Sequence, residues 1–280
     1  MDKQVIDLFI KNALAEDLGD GDHTSLSTIP ADAVGKAKLI VKEDGILAGV
    51  DLALYIFNYI DSNLKTEVFL QDGQQVKFGD IAFHVSGSVH SILLAERLVL
   101  NCMQRMSGIA TKTHSIVELL KNTSCKILDT RKTTPGLRYL EKWAVRIGGG
   151  VNHRVGLYDM ILIKDNHVDY AGGIVKAIDA SNAYLENNGK KLDIEIEVRN
   201  LDELDQVLQR GGIQRIMLDN FNLIDLEEAV KRIDHKYATE ASGGITTETL
   251  ARYAATGVDF ISMGALTHSV KSLDMSLKAF

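Results

Sequence analysis

The sequence predicts an α/β protein with a small N-terminal α+β domain and a larger C-terminal α/β barrel. Three observations support this prediction. The chain has 280 residues, which is long enough for one large and one small domain. Segments 35–50 and 66–89 alternate polar and apolar residues around Asp-Gly or Gly-Asp turns, as antiparallel strands do. From Cys125 onwards, short apolar runs alternate with helical segments, which indicates parallel βα units.

The N-terminal elements are read from apolar periodicity. Residues 1–18 predict a helix with one apolar side, formed by Val5, Ile6, Phe9, Ile10, Ala13 and Leu14. Two strands, a short helix, a group of strands and a long helical region follow at 35–50, 55–63, 66–89 and 91–122. We expect the long helical region to bend or break near Gly108.

Six strands are predicted in the C-terminal part. They are CKILDT, DMILIK, LDIEIEV, RIMLDN, ATEASGG and DFISMGA, starting at 125, 159, 192, 215, 238 and 259. Their close spacing favours a closed or nearly closed barrel, and a doubly wound open sheet is the alternative. The dinucleotide-binding and P-loop glycine motifs are both missing from the sequence, which argues against the nucleotide-binding open sheets.

Composition excludes several classes of function. A net charge of −7 argues against general nucleic-acid binding, which needs a basic face. No apolar run is long enough for a membrane span, and the acidic amphipathic N-terminus is unlike a signal peptide. Cys102 and Cys125 fit neither a disulfide framework nor a zinc site. We therefore expect a cytoplasmic protein with two buried, reduced thiols.

Segment 129–167 is cationic although the chain is acidic. It holds seven Lys or Arg residues against four Asp or Glu residues. Several of these cations directly follow predicted strands, namely Arg131, Lys132 and Lys164. Barrel active sites lie at the C-terminal ends of the strands. The segment therefore predicts a pocket for a small substrate with more than one negative charge.

The third barrel strand carries acidic residues on one side. Alternation puts Glu195 and Glu197 on the face opposite Ile194, Ile196 and Val198, and so towards the barrel interior. Buried carboxylates need partners, and we expect Lys132 and Lys164 to be those partners. We expect one charge network at the barrel mouth, formed by Lys132, Lys164, Glu197 and Asp219.

The last two strands end in glycine-containing turns, Ser242-Gly243-Gly244 and Met263-Gly264-Ala265. Glycine lets backbone N–H groups approach an anion closely, and barrels often bind phosphate on their last two loops. These turns therefore predict a phosphate site.

The motifs closely resemble those of the quinolinate phosphoribosyltransferase family, the nicotinate-nucleotide pyrophosphorylases (carboxylating). The resemblance covers nearly the whole chain and rests on GDHTS, AERLVLNCMQRMSGIAT, DTRKTTPGLR, GGGVNHRVGL, ILIKDNH, IEIEV, IMLDN, EASGGI and SMGALTHS. It implies that quinolinate and phosphoribosyl pyrophosphate give nicotinate mononucleotide, pyrophosphate and CO2, with Mg²⁺, in the biosynthesis of NAD.

The resemblance also implies a domain arrangement of the type II phosphoribosyltransferases. An N-terminal α/β sandwich at 1–105 would be joined by the C-terminal tail at 267–280, and 106–266 would form an incomplete barrel of about seven strands. Since six strands are clear in the sequence, either a seventh lies hidden in 90–125 or the count is low.

Site residues are implied by the same resemblance. Quinolinate would be held by Arg97, Thr130, Arg131, His153, Arg154 and Lys164. The catalytic residues, which also contact phosphoribosyl pyrophosphate and its Mg²⁺, would be Lys132, Glu197 and Asp219. The 5′-phosphate would lie against Ser242, Gly243, Gly244, Met263, Gly264, Ala265 and His268. Because Arg97 would come from the neighbouring subunit, the family pattern implies a homodimer with shared active sites, in some cases assembled into a hexamer.

Two alternatives stay open at this stage. One is a paralogue of the same fold associated with molybdate transport, which shares TRKTxPG-like and NH-like motifs. The other is a non-catalytic module that senses phosphoribosyl groups or nucleotides. A sensor would need the glycine turns but not the cluster of Arg131, Arg154 and Lys164 together with two carboxylates.

Overall fold

The computed structural model describes residues 2–280. In chain order its elements are α1 (Lys3–Leu18), α2 (His23–Thr28), β1 (Val34–Val41), β2 (Gly45–Ile46), α3 (Val50–Ile60), β3 (Lys65–Val68), β4 (Gln75–Val76), β5 (Ile81–Ser88), α4 (Val89–Leu119), β6 (Lys126–Leu128), α5 (Arg138–Ile147), β7 (Ile161–Ile163), α6 (Asp165–Ala171), α7 (Ile174–Asn187), β8 (Ile194–Val198), α8 (Leu201–Arg210), β9 (Arg215–Asp219), α9 (Leu223–Ile233), β10 (Ala238–Ser242), α10 (Leu250–Ala254), β11 (Phe260–Ser262), α11 (Ala265–His268) and β12 (Met275–Ala279).

These elements form two compact units. The first is made of residues up to His114, 133–149 and 266–280, and the second of 115–132 and 150–265. The predicted boundaries, 105/106 and 266/267, differ from this division in three places, of which the smallest is Leu266, which belongs to the first unit. Residues 106–114 continue α4 within the first unit, and 133–149, which the strand–helix alternation assigned to the barrel, also belong there. A salt bridge of 2.8 Å between Arg105 on α4 and the fully buried Glu141 on α5 holds the second segment in place.

The first unit is built on an antiparallel sheet in the order β12-β1-β5-β3. In β1 alternate residues are buried, including Leu39, because one face of the sheet is packed and the other is not. Phe83 on β5 meets Phe57 on α3 edge to face, with ring centroids 5.8 Å apart. The C-terminal tail supplies the edge strand β12, in which Leu277 lies opposite Leu39.

Helix α4 is continuous, so the expected break near Gly108 is wrong. Glycine is required at position 108 by close packing and not by a bend in the helix. A Cβ at this position would overlap the backbone of Lys271, so only glycine lets the two chain segments approach so closely.

The second unit is built on a parallel sheet in the order β6-β11-β10-β9-β8-β7. From β7 to β11 each strand lies next to the one that follows it in the sequence, and β6 lies next to β11. This is the order of a barrel that is open between β6 and β7. The six predicted strands are therefore confirmed. No seventh strand lies in 90–125, because 89–119 form α4; instead a parallel bridge joins Val151 to Leu128 beside the opening.

Two expectations from composition can be compared with the structure. Cys102 and Cys125 are free and buried, and burial raises the pKa of each thiol to about 12. Among residues 2–280, no helix combines the length and the apolar character needed to cross a membrane.

Candidate active site

The predicted polar residues of the second unit meet at one edge of the parallel sheet. Lys164 directly follows β7, Glu197 lies near the end of β8, Asp219 ends β9 and Ser242 ends β10. Parallel strands present their C-terminal ends at the same rim, so these side chains share one side of the barrel. Asp219 and Ser242 are direct neighbours in the strand register.

Three of these residues form a charge network at the rim. Lys164 Nζ lies 3.0 Å from Glu197 Oε2; the lysine side chain is 48% exposed and the glutamate side chain 6%. Burial and the charge of Glu197 raise the pKa of Asp219, while the charge of Lys164 opposes this rise. We call Lys164, Glu197 and Asp219 the rim network. Membership of Lys132, an exposed residue whose N–H donates to Thr130 Oγ1 at 3.0 Å, stays a prediction.

Two arginines lie close enough to influence each other. Burial lowers the pKa of Arg154, and the positive charge of Arg131 lowers it further. The Arg154 guanidinium donates to the carbonyl oxygen of Met160 at 3.2 Å, while Arg131 is exposed. Two neighbouring guanidinium groups form a favourable site for carboxylates, which arginine binds in a bidentate way.

His153 has a different environment from the one that substrate binding requires. Its side chain is only 6% exposed, and Nε2 lies 2.9 Å from Glu195 Oε2 and 3.3 Å from Glu240 Oε2. The backbone N–H of Arg154 donates to its Nδ1 at 2.7 Å. Both ring nitrogens are therefore engaged within the protein, and direct binding of a substrate by His153, as the resemblance implies, conflicts with this geometry.

The partners of His153 form a group that the sequence did not reveal. Arg215 Nη1 lies 3.3 Å from Glu240 and 4.0 Å from Glu195. We call His153, Glu195, Arg215 and Glu240 the buried cluster. Lys132 and Lys164 were the expected partners of the inward carboxylates, and for Glu195 this expectation is wrong. One signal was available: Glu240 interrupts an otherwise small and apolar strand, ATEAS.

Three members of the buried cluster, His153, Glu195 and Glu240, are arranged in a way that would allow them to bind a metal ion. Ligand atoms of His153, Glu195 and Glu240 all lie within 4.8 Å of one another. However, the Arg215 guanidinium already supplies a positive charge to both carboxylates. A divalent cation would be repelled by it at this distance.

The first glycine turn is shaped for a close backbone approach. Gly243 and Gly244 have φ of +94° and +61°, and the N–H of Asn220 donates to the Ser242 carbonyl at 2.9 Å. A Cβ on Gly243 would overlap Asn220, whereas one on Gly244 would meet no atom within 4 Å. The turn therefore leaves open space beside Gly244, as a bound anion requires.

The second glycine turn offers fewer free donors than expected. The N–H of Met263 donates to the Leu128 carbonyl at 3.0 Å, and the Met263 side chain is buried. The next two predicted phosphate ligands, Gly264 and Ala265, also belong to the second unit, and Ala265 is the first residue of α11. His268 belongs to the first unit and is exposed, with Nδ1 2.6 Å from Ser269 Oγ.

Arg97 also belongs to the first unit. It lies on the exposed side of α4 and lines a cleft of about 770 Å³ together with α1 and residues 134–141. Arg105 lines the same cleft but is bound to Glu141. Arg97 thus presents a positive charge to the cleft.

Comparison with known proteins agrees with these motifs. The N-terminal domain family of quinolinate phosphoribosyl transferase matches residues 22–107, and the C-terminal domain family matches 109–278. Quinolinate phosphoribosyltransferase (decarboxylating) 1b of Nicotiana tabacum is 49% identical, with 96% of this chain and 81% of that protein covered. Nicotinate-nucleotide pyrophosphorylase (carboxylating) of Mycobacterium leprae is 43% identical, covering 96% and 95%.

A solved structure gives the same result for the fold. Nicotinate-nucleotide pyrophosphorylase from Francisella tularensis superimposes with a TM-score of 0.92 at 41% identity, and covers 100% of this chain and 98% of that one. Both domain families together span most of the chain, and the relatives match it nearly end to end. The chain therefore belongs to the quinolinate phosphoribosyltransferase family.

Proposed function

We propose that this enzyme transfers the phosphoribosyl group of phosphoribosyl pyrophosphate to quinolinate and releases CO2, giving nicotinate mononucleotide for the biosynthesis of NAD. The observation that supports this best is the pairing of two different charge environments on one rim. Arg131 and Arg154 form a cationic site after β6, and the rim network adds two carboxylates from β8 and β9 of the same parallel sheet. One site suits a dicarboxylate, and the other suits a sugar that develops positive charge.

The dicarboxylate half of the site uses cations to bind and orient quinolinate. Arg131 and Arg154 would each bind a carboxylate, with Thr130 and Lys164 at the same rim. Nicotinate has one carboxylate and would leave part of this positive charge unused. We propose that Arg97 of the partner subunit completes this half in a homodimer, and a hexamer of such dimers would use the same pairs.

The sugar half of the site stabilises the reacting carbon. As pyrophosphate leaves, C1′ of the ribose becomes positively charged, and the quinolinate nitrogen forms the new bond to it. Glu197 and Asp219 would lie against this centre and stabilise its charge. Lys132 would neutralise the leaving group, and the glycine turns at 242–244 and 263–265 would bind the 5′-phosphate.

Decarboxylation then follows from the product of the transfer. The ring nitrogen is now cationic, so the electron pair of the breaking bond between C2 and the carboxylate is stabilised on the ring before C2 is protonated. The residues of the chain orient both substrates for this sequence, and no nucleophilic side chain is needed.

Mg²⁺ fits the rim network. Burial and the charge of Glu197 raise the pKa of Asp219, and Lys164, whose side chain is 48% exposed, opposes this rise only in part. A cation brought by the substrate pyrophosphate would therefore be favourable beside these carboxylates. Glu197 and Asp219 would hold Mg²⁺ together with the pyrophosphate of the substrate. When bound, the metal would supply charge neutralisation for the leaving pyrophosphate.

The free thiols of Cys102 and Cys125 support our further proposal that the protein works in the cytoplasm. Cell fractionation with an antibody against the chain would test this location.

The activity is tested with purified protein, quinolinate, phosphoribosyl pyrophosphate and Mg²⁺. We expect nicotinate mononucleotide, pyrophosphate and CO2 in equal amounts, measured by chromatography and by release of labelled CO2. Nicotinate in place of quinolinate is the control and should give little product. Equal turnover of nicotinate would contradict the proposal, and binding of both substrates without product would indicate a sensing module.

A further inference from the structure

The buried cluster has no direct part in the proposed reaction. Glu195 and Glu240 are fully buried, and His153 is nearly so. Taking such groups out of water is unfavourable, and apolar residues of similar size often stabilise a core better. Stability alone therefore gives no reason for three buried ionisable groups, His153, Glu195 and Glu240, in the barrel interior.

The buried cluster is connected to the substrate site through a segment without regular structure. Residues 152–154 follow the bridge at Val151 and lie outside every helix and strand. The buried Asp129 accepts hydrogen bonds from the Asn152 side chain at 2.5 Å and from the His153 N–H at 2.8 Å. Asp129 therefore holds the beginning of this segment.

The His153 imidazole holds the next residue of the same segment. Its Nε2 faces the two carboxylates, and its Nδ1 accepts the backbone N–H of Arg154. Since Nδ1 is an acceptor, the ring proton lies on Nε2, the nitrogen that is close to the carboxylates. The ring thus links the backbone of Arg154 to the barrel interior.

The charges of the buried cluster keep this orientation of the ring. Nε2 lies close to one oxygen of each carboxylate, and the Arg215 guanidinium pairs with the same two carboxylates. These contacts favour the orientation in which Nε2 faces the carboxylates and Nδ1 faces the Arg154 N–H.

We propose that Glu195, Glu240 and Arg215 are positioning residues. They hold His153 so that its imidazole fixes the backbone of Arg154 and directs the guanidinium towards the substrate carboxylates. The role of Arg154 in this statement rests on the proposed function. The fixed backbone at Arg154 does not, because it follows from the geometry of this chain alone.

The experiment compares two variants with the same chemical change. Glu240→Gln removes one carboxylate charge from the buried cluster and keeps the side-chain volume. Glu203→Gln is the matched control. Glu203 lies on α8, outside the proposed site; its side chain is mostly buried and pairs with Arg199 at 2.6 Å. His153→Gln removes the imidazole link itself and is available if Glu240→Gln does not fold.

Hydrogen–deuterium exchange on the protein without substrates gives the first readout. We expect the Arg154 amide to exchange roughly tenfold faster or more in Glu240→Gln, while Glu203→Gln leaves it unchanged. Unchanged exchange in a folded Glu240→Gln variant would overturn the proposal. This readout stays decisive even if the wild-type protein fails to turn over quinolinate, which would reject the proposed function alone.

Kinetics gives the second readout. In Glu240→Gln we expect the KM for quinolinate to rise roughly tenfold or more, because a small displacement of Arg154 weakens binding. The KM for phosphoribosyl pyrophosphate should change less than about twofold. Equal increases in both constants would indicate a merely structural role and overturn the proposal.

Metal analysis gives the third readout. The metal content of purified wild-type protein and of Glu240→Gln is compared by elemental analysis. We expect no divalent metal that is present in a stoichiometric amount in the wild type and lost in the variant. A bound metal that disappears in this variant would show that the buried cluster is a metal site and would likewise overturn the positioning role.

Discussion

Strand β8 supplies two carboxylates to the barrel interior, and their surroundings differ sharply. Glu195 and Glu197 are two residues apart, about 7 Å along a strand, and both are buried. Glu197 faces a half-exposed lysine at the rim, whereas Glu195 faces a histidine, an arginine and a second glutamate deeper inside. Depth along one strand therefore distinguishes the carboxylate that we propose for catalysis, Glu197, from the one that we propose for positioning, Glu195.

The rim network should lose activity far more than stability when its charge changes. We expect Glu197→Gln to reduce kcat by about 100- to 1,000-fold, because it removes a carboxylate from the developing positive charge. The thermal midpoint should change little, since the partner Lys164 is half exposed. Turnover and thermal unfolding are measured on the same preparation, with Glu203→Gln as control. A folded variant with full turnover would show that Glu197 is not catalytic.

The buried cluster should lose stability when its only arginine is removed. Arg215→Met leaves two buried carboxylates with less compensating charge, so we expect the free energy of unfolding to fall by about 3 kcal/mol. Urea denaturation measures this change. Adding Glu240→Leu to the same variant should restore part of the loss, because it removes one unpaired charge. The control Arg232→Met breaks a surface pair and should change stability little.

The rim site, unlike the buried cluster, should depend on a second subunit. We expect Arg97→Ala and Arg154→Ala each to be nearly inactive, and their mixture to recover up to about a quarter of wild-type activity. Half of the randomly mixed dimers would carry both variants, and one of their two sites would be intact. The mixture is assayed after unfolding and refolding together. No recovery, while each variant alone still forms dimers, would mean that Arg97 acts within its own subunit or not at all.

The most gradual expected effect is the pH dependence of stability that the buried cluster causes. Folding raises the pKa of His153 from 6.5 to about 9 and that of Glu195 from 4.5 to about 7. For Glu195 the main cause is burial, followed by the charge of Glu240. Both groups bind protons more tightly when folded, so their contribution to stability is complete below the unfolded pKa and is lost as pH rises through the folded one.

Stability should therefore fall as pH rises, between about 4.5 and 7 for Glu195 and between 6.5 and about 9 for His153, by at most about 1.4 kcal/mol per pH unit for each proton released. Urea unfolding across this range measures the slope for the wild type and for His153→Gln. The variant should have a shallower slope, and Glu203→Gln should keep that of the wild type. Equal slopes in all three proteins would show that the buried cluster does not titrate as a unit.

The sequence was sufficient for the fold and for the rim, since both depend on local patterns. Alternation along each segment predicted the six barrel strands, and residues that follow parallel strands must share one rim. Lys164, Glu197 and Asp219 were therefore predicted together, and the structure brings them together. The same local patterns misjudged Gly108, because its close contact at Lys271 is distant in sequence.

By itself, then, the sequence determined the order of strands and helices, the family and the charges available at the barrel rim. Only the tertiary structure decided that His153 faces inwards. Its partners Glu195, Arg215 and Glu240 come from three different strands, β8, β9 and β10. The physical reason is that burial selects partners through space: a buried charge must be compensated by whichever groups the sheet register brings within a few ångströms, and spacing along the chain does not record that register.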